Sequence, residues 1–129
     1  MNFEPYNVVI LAEDYEAMRD WYIAALGLEL KQEWTEKYHY AELVHDDRYI
    51  VGIALAKEMN CEPVSPRKNT SLMQLKTDDI RGFFEQVTKH GAKTWGPNYD
   101  PHEDLGYGAF FDPEGNETWV IQPNAGGSI

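Results

Sequence analysis

Apolar and polar positions along the chain fall into two stretches that repeat one another. The first opens with Asn7-Val8-Val9-Ile10-Leu11, an apolar run that reads as a strand. After Glu13-Asp14 the period changes. Met18, Trp21, Tyr22, Ala25 and Leu26 recur at three- and four-residue steps, which predicts a helix over Tyr15–Leu26 with one apolar face. Asp14 suits the N-cap, where its carboxylate can accept first-turn N–H groups. Gly27 suits the stop, because it adopts the left-handed conformation without a Cβ penalty. In the second stretch Leu72–Lys76 reads as a strand, Asp78 as the cap, Ile80 to His90 as the helix and Gly91 as its stop. Ile80, Phe83, Phe84 and Val87 form that helix's apolar face, and the aromatic residues on both helices are expected in the core. Thirteen residues separate cap from stop in each copy, Asp14 to Gly27 and Asp78 to Gly91.

Three strand segments follow each helix. In the first copy they are Leu28–Trp34, Tyr38–Val44 and Tyr49–Ala56, the last two joined by His45-Asp46-Asp47-Arg48. In the second they are Lys93–Trp95, Gly108–Phe111 and Glu117–Gln122. Asp112-Pro113-Glu114-Gly115-Asn116 is a turn: Pro presets φ, and Gly and Asn tolerate positive φ. Gly96–Gly106, polar and containing His102, reads as a long loop of the kind that forms lids, and Gly106-Tyr107-Gly108 as flexible strand entry. Glu58–Thr70 is rich in Pro, Ser, Asn and Lys and reads as a linker. The expectation is one α+β domain over 1–129, with a module at about 5–57, the linker at 58–70 and a second module at 71–124.

These residues resemble the glyoxalase, bleomycin-resistance and dioxygenase (vicinal oxygen chelate) superfamily. The resemblance runs from about Tyr6 to Pro123. It rests on the strand–Asp–helix–Leu-Gly-Leu opening, Val8 to Leu30, and on the Asp-Pro-Glu-Gly-Asn turn, Asp112 to Asn116. It implies two tandem βαβββ modules forming a cupped mixed sheet with helices outside, a ligand in the cup, and a homodimer. Metal-dependent relatives carry four His, Gln or Glu ligands on the first and last strands of the modules. By offset from the capping aspartates and the turn, those positions are Asn7, Ala54, Leu72 and Trp119 here. Three of the four side chains cannot ligate a divalent cation and Asn is a weak ligand, so no metal and no cofactor are expected.

Composition narrows the partner. With 22 acidic and 11 basic residues the net charge is −11, which repels phosphate backbones and excludes nucleic acid as a natural partner, but attracts cations. No run approaches the roughly 18 apolar residues of a membrane span, and the N-terminus shows no signal-peptide pattern. The single cysteine, Cys61, cannot form an intrachain disulfide, which points to the cytoplasm. His39 and His45 read as near solvent and His90 as a helix C-terminal residue. His102 is the one histidine placed to act from a loop.

Side-chain alternation predicts what lines the cup. Ala41, Leu43, Val51, Ile53 and Leu55 suit the helix side, turning Tyr38, Tyr40 and Glu42 inward and leaving room at Gly52 and Ala54. In the second module Leu72, Gln74, Lys76, Glu117, Trp119 and Ile121 face inward, with Trp34, Tyr99 and Tyr107 joining from strand ends and the loop, which also carries His102. Rings and carboxylates together suit an aromatic or cationic organic ligand, an antibiotic among them. The same rings could instead fill the cup as core. Three functions stay open: a metal-independent binding protein, an enzyme of the same superfamily (glyoxalase/lyase, isomerase or dioxygenase type) using Glu42, Glu117 or His102, and an accessory domain without a ligand.

Overall fold

The structure is a computed structural model that describes residues 1–62 and 71–129. The chain divides into two compact units, residues 1–63 and 64–129. Each is a βαβββ module, so the architecture is α+β, as the repeat predicts. Of the expected linker, residues 63–70 lie outside the described residues; Glu58 belongs to a single 3-10 turn, Ala56–Met59.

In the first unit β1 (Val8–Ala12) leads into α1 (Tyr15–Leu26), then β2 (Glu29–Trp34), β3 (Tyr40–His45) and β4 (Arg48–Leu55). The strand order is β1-β4-β3-β2, with β1 parallel to β4 and the other pairs antiparallel. Asp14 accepts the Ala17 N–H at 3.1 Å, and Gly27 ends the helix at φ 65°. Asp46 and Asp47 both take positive φ, the conformation a two-residue hairpin turn requires. Ala41, Leu43, Val51 and Ile53 are fully buried against Met18, Tyr22 and Tyr15 of α1. Trp21 is only half-buried at the rim of that core. Tyr38 falls outside β3, in a bend, because pairing with β2 and β4 begins at Tyr40.

The second unit contains β5 (Met73–Lys76), α2 (Ile80–Lys89), β6 (Lys93–Asp100), β7 (Leu105–Phe111) and β8 (Glu117–Gln122), in the order β5-β8-β7-β6. Its core is Met73, Ile80, Phe84, Val87, Phe110, Thr118 and Val120, with Phe83 half-buried beside it. The cap is Asp79 rather than Asp78: its carboxylate accepts the Gly82 N–H at 3.0 Å, the third residue on, which Asp78 cannot reach from one residue further back. The expected loop at Gly96–Gly106 is instead a long hairpin. β6 and β7 pair as far as Asp100 and Leu105, and the turn is only Pro101–Asp104. Gly96 and Pro97 fall at an irregularity in β6, where a residue without an N–H is tolerated. Gly108 is no flexible entry either. A Cβ there would come within 2.7 Å of both the Phe84 ring and the Trp95 carbonyl oxygen. The Asp112–Asn116 turn closes on the buried Asp112, whose Oδ1 accepts the N–H of Glu114 at 3.0 Å and of Asn116 at 2.9 Å.

One ion cluster ties α1 to β2. Glu33 Oε2 accepts the Tyr15 hydroxyl at 2.6 Å and the Arg19 guanidinium at 2.7 Å. The Tyr15 hydrogen bond, helped by Arg19, holds Glu33 below its ordinary value of 4.5 against the opposing effect of burial. A carboxylate with a depressed folded-state pKa stabilises the fold fully above its unfolded value, and that contribution is lost as pH falls through the folded one. Glu33→Gln is therefore expected to flatten the decline of the denaturation midpoint below pH 4.5. An acid limb as steep as the parent's would show that Glu33 is not its source.

Candidate functional site

In each unit the helix covers one face of the sheet, and the opposite face carries the polar and aromatic residues. In the first unit Tyr40, Glu42, Gly52 and Ala54 lie on this open face, with Tyr40 opposite Ala54 and Glu42 opposite Gly52. Trp34 pairs with Tyr40 across β2 and β3. The Trp34 ring lies 5.7 Å from that of Tyr40 and 6.5 Å from that of Tyr38. Tyr38 therefore reaches this cluster from the bend rather than from a strand.

The space expected above Gly52 is taken. A Cβ at Gly52 would lie 2.5 Å from the Tyr40 hydroxyl and 3.1 Å from Asn7 Nδ2. The Asn7 amide donates to that hydroxyl at 3.3 Å, so Asn7 and Tyr40 close over the glycine. Ala54 beside them is buried.

Glu42 is the unusual group on this face. It is 5% exposed, and its Oε2 accepts the Tyr6 hydroxyl at 2.5 Å. Tyr6 in turn stacks on Tyr49 at 4.6 Å. Among the described residues no ion pair reaches Glu42. Its Oε1 has no described partner, yet no enclosed side-chain oxygen among the described residues lacks one, so Oε1 meets solvent. A nearly buried carboxylate with one oxygen held by a tyrosine and the other open can accept a hydrogen bond from a bound donor or cation.

In the second unit Gln74 pairs with Trp119, Trp119 with Ala109, and Ala109 with Trp95, one row across the whole sheet. Trp119 and Trp95 are 47% and 58% exposed. The Trp119 indole N–H donates to Glu117 at 2.7 Å, and the Trp95 ring lies 5.7 Å from Tyr107. Tyr107 is thus a mid-strand residue of β7, opposite Ile121. Leu72 precedes β5 and is exposed, since pairing starts at Met73. His102 sits on the hairpin turn with its side chain 90% exposed, 3.8 Å from Glu103, and has none of the surroundings of a lid. Of the other histidines, His39 links the bend to the 3-10 turn, its Nδ1 at 2.9 Å from Glu58. A shallow concavity of about 440 Å³ between α2 and β6, lined by Phe84, Thr88 and Pro97, lies on the helix side of the sheet.

Sequence reasoning missed Tyr6, Trp95 and Ala109. Trp95 and Ala109 both lay in segments read as strands, Lys93–Trp95 and Gly108–Phe111, but their inward faces were not assigned, because only the pairing with β8 shows which of their residues share a face with Trp119. Tyr6 precedes β1, where no period applies.

Two tandem helix-backed βαβββ units, each with an open aromatic face, define the class of this protein. A family profile described as the Glyoxalase/Bleomycin resistance protein/Dioxygenase superfamily matches residues 7–120, and the chain belongs to that superfamily. No curated protein matches it by sequence. Its fold is similar to that of TnmS3, an antibiotic binding protein from Streptomyces sp. CB03234, at TM-score 0.69 and 20% identity over 95% of this chain and 98% of that one. It is similar to TioX from Micromonospora sp. ML1 at TM-score 0.70 and 19% identity, over 94% and 99%. Glyoxalase I from Zea mays, a mutant form, matches at TM-score 0.70 and 20% identity over 91% of this chain and 46% of that one.

The metal of the superfamily's enzymes does not fit the residues present. Ala54 and Leu72 offer no donor atom. The single nitrogen of Trp119 carries a proton already given to Glu117, and the Asn7 amide is turned to Tyr40. Among the described residues no three His, Cys, Asp or Glu side chains gather to hold an ion.

The Glu42 hydrogen bond, with smaller contributions from burial and Tyr49, pushes the Tyr6 phenol well above its ordinary 10.0. Loss of the carboxylate removes the largest of these, so Glu42→Gln is expected to bring Tyr6 ionisation down toward, though not to, the ordinary value. Carbon-13 NMR of ring-labelled tyrosine across an alkaline titration reads this. A Tyr6 resonance that titrates as in the parent would separate the two groups.

Proposed function

We propose that this chain is a metal-independent small-molecule binding protein that sequesters an aromatic or cationic compound, an antibiotic being the fitting class. The observation that carries the reading is Glu42: a carboxylate 5% exposed, open at one oxygen, on a sheet face shared with Tyr6, Tyr40 and Trp34. The shared fold with TnmS3, an antibiotic binding protein, supports it, as does the lack of a metal-ligating set among the described residues. Such a protein needs no catalytic group, because a bound compound is withheld from its target by affinity and stoichiometry. Asn7, Trp34, Tyr38, Tyr40, Glu42 and Ala54 on one unit, and Leu72, Gln74, Tyr107 and Trp119 on the other, are the proposed ligand contacts. His102 stands apart from them on its turn.

The reading includes a homodimer working in the cytoplasm. The lone exposed thiol of Cys61 supports the compartment, and no helix among the described residues is long and apolar enough to cross a membrane. An acid–base enzyme is the second reading. The short Tyr6–Glu42 bond favours Glu42 for that role over Glu117, which is bonded to Trp119, and over the solvated His102.

Titration with 9-aminoacridine, a planar cation, followed by tryptophan fluorescence, tests the binding reading. Saturable binding unchanged by EDTA is expected. Glu42→Gln is expected to weaken it about 10- to 100-fold, the worth of a hydrogen bond to a charged group. Absence of saturable binding by the parent protein would sink the reading, and an unchanged affinity in Glu42→Gln would remove Glu42 from it.

A further inference from the structure

The two open faces differ in how their rings are employed. In the first unit the aromatic side chains face one another and the polar groups are bonded in pairs. In the second, two indoles on one face stay about half exposed, at 47% and 58%, which is costly in water for the largest apolar side chains. Their register is the informative part. Trp119 on β8 and Trp95 on β6 both pair with Ala109 on β7, so they stand on either side of one alanine. Neighbouring strands lie about 4.8 Å apart, which sets the two tryptophan backbones about 10 Å from each other. Ala109 faces away from α2 and is nevertheless 4% exposed. Its cross-strand neighbours, the indoles, are the groups placed to cover it.

Each ring also has a second anchor. The Trp119 N–H is held by Glu117, which fixes the ring with its faces left for stacking, and Trp95 rests beside Tyr107. Lys93, Phe111 and Glu117 pair in the next row of this face, and Lys76 pairs with Ile121 in the row on the other side, so the indoles have cations as well as Glu117 around them. That mixed charge points to a ligand recognised by its π-face rather than by its charge.

We propose that Trp95 and Trp119, set across Ala109, form a stacking platform for a planar, fused aromatic ring system. The proposal rests on the binding reading above and adds to it a subsite in the second unit and the ring class it takes. A fused bicyclic or tricyclic ligand is long enough to touch both indoles, whereas a single small ring meets only one.

The probe is acridine, which is flat and, in mildly alkaline buffer, uncharged, so it bypasses Glu42. Trp95→Ala and Trp119→Ala are each expected to weaken acridine about 5- to 30-fold, with Trp95→Phe restoring most of the loss. 1-Adamantylamine, a cation without a planar face, is expected to be indifferent to Trp95→Ala. If the parent binds acridine and Trp95→Ala binds it equally well, the platform is overturned while the binding reading stands. If Trp95→Ala instead changes the oligomeric state and leaves acridine affinity intact, the exposed indoles serve self-association and the platform is likewise overturned. Failure of the parent to bind acridine overturns the platform, and failure with 9-aminoacridine as well overturns both.

Discussion

A four-stranded sheet has two faces, and each unit of this protein has one helix to cover them. Everything distinctive about the molecule follows from that shortfall. The period-two alternation of the strands sends Ala41, Leu43, Val51 and Ile53 to α1, and Phe110, Thr118 and Val120 to the α2 side. The residues between them are committed to the other face by the same geometry. A one-residue slip would bury Glu42 and Tyr40 under the helix and expose the core, so the hydrophobic demand of one face fixes the chemistry of the other.

What the open faces carry is unequal. On the first, Gly52 has no side chain, and the Tyr40 hydroxyl and the Asn7 amide occupy the space it leaves. The polar groups there satisfy one another, with Glu42 Oε1 as the acceptor still open. On the second, Ala109 keeps the centre of the row low between two indoles that have no helix over them. Of the four positions that the family resemblance assigns to metal ligands, Ala54 and Leu72 carry no donor atom, the Trp119 nitrogen is bonded to Glu117, and only the Asn7 amide, bonded to Tyr40, offers a weak one. Methyl, isobutyl and indole groups stand at the other three, which suits the proposed contact with an apolar or cationic compound.

The elements that alternate cleanly were legible in the sequence. The Tyr15–Leu26 helix and the Glu117–Gln122 strand have the predicted bounds, because caps and turns bracket them: Asp14 and Gly27 for the helix, the Asp112–Asn116 turn before the strand. The inner parts of β6 and β7, Lys93–Trp95 and Gly108–Phe111, were legible as strands, but the outer part of the hairpin was not. Gly96, Pro97, Asp100 and Pro101 give it loop composition, and cross-strand pairing of β7 with β6 and β8 makes it sheet. That error lent His102 a role its exposure does not support. The cap moved from Asp78 to Asp79 because two adjacent aspartates offer the same chemistry and only the start of the helix at Ile80 chooses between them. The Tyr6–Glu42 contact spans 36 residues and joins a segment before the first strand to the third, which no local pattern encodes.

The proposed function requires that this scaffold bind its ligand through side chains alone. A native mass spectrum of the purified protein, prepared without chelator or added metal and then with 9-aminoacridine, tests it most directly. The expected result is a chain free of stoichiometric divalent metal that gains the acridine as a defined adduct. A purified protein carrying one divalent ion per chain would contradict the account, since the residues at Asn7, Ala54, Leu72 and Trp119 could not hold it and a ligand set elsewhere would have to exist.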